Sequence, residues 1–82
     1  MTTEHKVKQV LSEFLDYQPE IQNTDHLVKD LGADSLDLVE IEMRLERVFN
    51  IRIDAIDYGL EDPTVQHYID EVERELQKKM GS

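Results

Sequence analysis

Apolar residues recur along this chain at helical spacing, and nowhere at the alternating spacing of a half-buried strand. From Glu4 to Asp16, Val7, Val10, Leu11, Phe14 and Leu15 fall on one stripe of a 3.6-residue repeat and predict a first helix. Tyr17-Gln18-Pro19 is expected to stop it, because proline disfavours helix at the preceding residue and lacks an N–H to donate. A long connection from about Gln18 to Ala33 follows, which Ile21, Leu27 and Leu31 should pin to the core. Leu27 and Leu31, four apart, suggest a helical turn within it.

A second helix is expected from about Ser35 to Asn50, with two apolar sets. Leu38, Ile41, Leu45, Val48 and Phe49 form the inward stripe. Leu36, Val39 and Met43 form another, rotated well away and flanked by Glu40 and Arg47, which suits an exposed docking surface. Ile51 and Ile53 continue the apolar contact. Asp54 to Leu60 suggests a short third helix around Ile56 and Leu60, loosened by Gly59. Thr64 is the expected N-cap of a fourth helix, whose stripe is Val65, Tyr68, Ile69, Val72 and Leu76 and which reaches about Lys78. Lys78 and Lys79 suit the negative pole of its dipole. The expected fold is all-α: a small bundle of three long helices and one short one, forming a single domain over residues 1–80, with 81–82 as a tag remnant or frayed tail.

Composition narrows the function. At 82 residues the chain buries only about 60 % of the surface its unfolded form exposes, leaving no room for a deep, water-excluding active site. The net charge of −10, from 19 acidic against 9 basic residues, argues against nucleic acid and for protein partners with basic surfaces. No apolar run approaches the roughly 20 residues that span a bilayer, and the absence of cysteine suits a reducing cytoplasm.

The candidate chemistry centres on Ser35, where Leu31-Gly32-Ala33-Asp34 turns into the second helix. An Asp34 or Ser35 oxygen there would cap the helix, and Asp34 and Asp37, three apart, have the spacing for reciprocal capping. A phosphate on Ser35 would instead meet unpaired N–H groups and the positive end of the dipole, against the opposition of Asp34 and Asp37. A serine hydrolase needs an oriented base. His5, His26 and His67 read as ordinary surface residues, and the G-x-S-x-G elbow is missing. Asp54 to Gly59 fails as a calcium loop, since Ile56 and Tyr58 occupy ligand positions, so no metal site is expected.

Asp30-Leu31-Gly32-Ala33-Asp34-Ser35-Leu36-Asp37 resembles the 4′-phosphopantetheine attachment motif of acyl carrier proteins. The similarity continues through Val39-Glu40-Ile41, Met43, Leu45-Glu46 and Phe49, and returns at Thr64-Val65. It implies that a separate phosphopantetheinyl transferase moves the group from coenzyme A onto Ser35, and that the chain is a carrier rather than an enzyme. It also implies a cytoplasmic monomer delivering thioester-bound acyl groups to acyl-transfer, condensing and reducing enzymes of fatty-acid or polyketide type. Leu36, Val39 and Met43 match apolar docking positions, and Asp34, Asp37, Glu40 and Glu46 match acids that meet partners' basic patches. Arg47 borders that patch, and Arg44 and Arg47 both stand where many relatives are neutral or acidic. Leu27, Leu45, Phe49, Ile53 and Tyr68 are the implied acyl-cavity positions, where Tyr68 is expected to fill part of the space. The rival reading is a helical interaction adaptor in which Ser35 is only a cap.

Overall fold

The computed structural model describes residues 2–53 and 62–81. Three helices pack against one another in every pairing: α1 (Thr3–Leu15), α2 (Ser35–Phe49) and α3 (Val65–Gly81). The short helix expected at 54–60 lies outside the described residues.

Thr2 caps α1, its hydroxyl accepting the His5 amide at 3.1 Å, and Val7 and Leu11 are fully buried on the inward stripe. The helix ends before the proline is reached. Asp16 takes the left-handed conformation (φ 51°), its N–H returns to the Ser12 carbonyl, and the Ser12 hydroxyl donates to the Tyr17 carbonyl at 2.9 Å. Local closure at Asp16, rather than Pro19, is therefore what stops α1.

The connection to α2 is held at both ends. Ile21, Leu27, Leu31 and Ala33 are buried, as a long ordered loop requires. The Asp30 and Leu31 amides both return to the His26 carbonyl, which makes the expected helical turn. Leu27 N–H donates to the Pro63 carbonyl at 2.9 Å and Val65 N–H to the Asp25 carbonyl at 2.9 Å, so the loop is bonded to the start of α3. Asn23 reaches Glu4 on α1 and Gln66 on α3 through its side-chain amide. That amide, and secondarily Lys8, holds the Glu4 carboxyl below its ordinary pKa. Gly32 has φ +79°, a left-handed conformation that a side chain would strain, although space around it is open.

On α2, Ile41 and Leu45 are fully buried and Leu38 and Phe49 partly so. Val48 departs from the inward stripe expected of it and is 45 % exposed, because its position faces the edge of α1 rather than the core. Asn50, left-handed at φ 54°, closes the helix, and the Glu46 carboxylate accepts the Ile53 amide at 2.7 Å. Thr64 caps α3 as expected, accepting the His67 amide at 3.2 Å. The helix runs past Lys78 to Gly81. Val65, Tyr68, Ile69 and Val72 complete the core. Glu71 is buried beside them with its carboxylate 2.8 Å from Arg74, which offsets the cost of its charge.

Candidate functional site

Ser35 is the first residue of α2 and is exposed. It is not the cap. Asp34 is extended (φ −106°, ψ −177°), its carboxylate accepts the Asp37 amide at 2.8 Å, and the Asp37 carboxylate accepts the Asp34 amide at 3.1 Å. This reciprocal box satisfies the Asp34 and Asp37 amides without the serine, which corrects the reading of Ser35 as only a cap. No hydrogen bond among the described residues engages the Ser35 hydroxyl. The Ser35 and Leu36 amides open the helix and have no intrahelical acceptor, so the hydroxyl stands at the positive end of the dipole.

The turn before the site is set by a residue that sequence reasoning passed over. Asp62 accepts the Val28 amide at 2.8 Å and the Lys29 amide at 3.2 Å, capping the turn that leads to Gly32 and Ser35. His26 joins the same cluster, its Nδ1 3.0 Å from the Asp62 carbonyl oxygen and its amide bonded to the Asp30 carboxylate at 2.7 Å. His67 packs edge-on against Tyr68, with ring centroids 6.0 Å apart. These two histidines are half-buried structural residues, not the surface residues expected. His5 is exposed.

Beyond Ser35, Leu36 is 75 % exposed, Val39 46 % and Met43 49 %, in one stripe along α2. Asp34, Glu40 and Arg47 are exposed beside it and Asp37 is half-buried. Glu46 is also half-buried, one carboxylate oxygen being committed to the Ile53 amide. On the opposite face, Leu27, Leu45, Ile53 and Tyr68 belong to the buried core and Phe49 packs against it. The Tyr68 hydroxyl donates to the Glu42 carboxylate at 3.0 Å, a bond from α3 to α2. Burial raises the Glu42 pKa above its ordinary value, with a smaller push from Glu46, against the opposing effect of the Tyr68 bond. The placement of Glu42 beside the inward stripe was readable from the helical period; its tyrosine partner, 26 residues away, was not.

A family model described as the phosphopantetheine attachment site matches residues 5–72. The chain belongs to this acyl carrier family. Among similar proteins, the acyl carrier protein of Buchnera aphidicola subsp. Acyrthosiphon pisum is 40 % identical over 77 residues, covering 93 % of this chain and 95 % of that one. That of Cylindrotheca sp. is 36 % identical over 75 residues, covering 90 % and 92 %. A shorter match, 50 % identical over 48 residues, is to the acyl carrier protein of Wolinella succinogenes and covers 57 % of this chain and 63 % of that one. The chain is thus a carrier that bears phosphopantetheine, and not an enzyme. An exposed, unengaged hydroxyl at a helix N-terminus fits a phosphodiester-linked group, since the opening amides and the dipole favour its negative charge. The Asp34 and Asp37 carboxylates oppose that charge, but each already accepts a backbone amide. No described helix is long and apolar enough to cross a membrane.

Proposed function

We propose that Ser35 is the attachment residue, that 4′-phosphopantetheine reaches it from coenzyme A through a separate transferase, and that the carrier delivers acyl thioesters to fatty-acid or polyketide-type enzymes. One observation carries this reading: the Asp34–Asp37 box caps α2 by itself, leaving Ser35 exposed and unengaged at the helix start. The bound group supplies a flexible arm whose terminal thiol holds the acyl chain. This chain supplies the Ser35 oxygen, and no described residue is hydrogen-bonded to that hydroxyl as a base, so in this reading the transferase accepts the proton. Peptide mapping after incubation with coenzyme A and a broad-specificity phosphopantetheinyl transferase should find the added mass on the peptide containing Ser35; addition at another residue would refute the assignment.

Leu36, Val39 and Met43 offer partners an apolar stripe, and Asp34, Asp37, Glu40 and Glu46 offer charge to basic docking surfaces, mainly speeding encounter. Condensing, acyl-transfer and reducing enzymes are the partners this surface suits. In this reading residues 1–80 act as one monomeric domain in the cytoplasm, which agrees with a chain lacking cysteine. Leu27, Leu45, Phe49, Ile53 and Tyr68 define where an acyl chain would enter the core, and Tyr68, tied to Glu42, fills part of that space. The carrier therefore favours short acyl groups, or long ones held outside the bundle.

A further inference from the structure

The edge of α2 that faces α1 runs against the net charge of the molecule. Arg44 and Arg47 lie there, in a chain with 19 acidic residues, and no ion pair among the described residues joins either one to a carboxylate. The Arg44 guanidinium carbon sits 4.8 Å from the centroid of the Phe14 ring, an attraction that fixes the cation in place. Val10, Val48 and the two arginines enclose a groove of about 140 Å³, with Glu13 at its rim. Small-molecule sites run from roughly 300 to 1,000 Å³, so this groove is sized for one side chain rather than a metabolite. Arg47 is four residues beyond Met43, so the groove continues the exposed stripe of Leu36, Val39 and Met43 around the helix.

We infer that this groove receives an apolar side chain flanked by carboxylates from a partner protein, and that Arg44 and Arg47 select that partner over one basic along its whole docking surface. The selection has two parts. An acidic edge pairs with the arginines, and a basic edge meets like charge at this positive corner of an acidic carrier. The inference rests on the carrier reading, because a partner docked along α2 from Ser35 reaches the groove at the far end of the stripe.

Isotopically labelled full-length protein, titrated with three eight-residue peptides that share a central leucine pair flanked by Glu, Gln or Lys, provides the test. The Glu peptide should move the Val10 and Val48 methyl and the Arg44 and Arg47 Nε–H signals. It should bind roughly three- to tenfold more tightly than the Lys peptide, as two exposed ion pairs allow, and lose that advantage at high salt. Arg47→Gln, which keeps Arg44 on Phe14, should narrow the difference, and the double variant Arg44→Gln/Arg47→Gln should abolish it. Equal binding of the three peptides, shifts at other residues, or a Glu preference that survives in the double variant would each overturn the inference. So would self-association of the chain that moves the same signals, since a second copy would then be the occupant. None of these readouts depends on modification of Ser35, so failure of this inference and failure of the carrier assignment are separately visible.

Discussion

At the level of single residues, Asp34 and Ser35 are neighbours with opposite duties. The Asp34 carboxylate holds the Asp37 amide, and an N-cap of this kind contributes about 1 kcal/mol. Asp34→Ala should therefore lower the free energy of unfolding in denaturant by roughly 0.5–2 kcal/mol. Ser35→Ala, at an exposed position outside the cap, should stay within about 0.5 kcal/mol of the wild type. Equal losses in the two variants would mean that the serine shares the capping. Glu42 offers a second contrast. Its pKa is raised by burial, so the ionised carboxylate opposes folding; the penalty is absent at acidic pH and grows as pH rises through the folded value. Glu42→Gln should stabilise the protein near neutrality and gain nothing at low pH, whereas Glu40→Gln, exposed on the other face, should show only the general benefit of one less negative charge. Matching pH profiles for the two variants would remove the special role of Glu42.

Among the elements, α1, α2 and α3 were legible because each carries a continuous apolar stripe, and their starts were legible where the cap is local, as at Thr64 and Asp34. The ends of α1 and α2 fall within one residue of the expected bounds, but their cause was not read: left-handed closures at Asp16 and Asn50 have no side-chain signature as strong as a proline or a glycine, so the stop of α1 was credited to Pro19. Val48 was misplaced for a related reason: periodicity assigns a face to a residue, but whether a neighbouring helix covers that face depends on tertiary packing. The loop before Ser35 was read as pinned by Leu27 and Leu31, while its cap, Asp62, lies more than 30 residues away and leaves no local pattern. Asp62→Ala should speed amide hydrogen exchange at Val28 and Lys29 and leave α1 unchanged. Unchanged exchange at both amides would show that the turn holds without it. Tyr68 gives a prediction about cargo. In the wild type, loading medium and long acyl groups should shift core amide signals little, and Tyr68→Leu should enlarge the response. A wild-type response that already grows strongly with chain length would defeat the proposal that Tyr68 fills the space.

For the molecule as a whole, 19 acidic residues against 9 basic ones make self-repulsion a general cost of the folded state. Sodium chloride or magnesium should raise the Tm by screening it, and a Tm indifferent to both would contradict that expectation. The same charge organises encounter: an acidic body with an exposed apolar stripe beside Ser35, and a positive edge beside that stripe at Arg44 and Arg47. The attachment motif was legible as a motif because its residues are contiguous. The three-residue spacing of Asp34 and Asp37 foretold their reciprocal capping, which is present; what it left open was whether the Ser35 hydroxyl takes part, since an Asp or a Ser at a helix start can each cap.

The release of Ser35 for attachment is tested most directly by intact mass after incubation with coenzyme A and an active broad-specificity phosphopantetheinyl transferase. The wild type should gain one phosphopantetheine group, and Ser35→Ala, folded to the same stability, should gain none. A wild type that stays unmodified with several active transferases, or a Ser35→Ala variant that is modified as fully as the wild type, would contradict it.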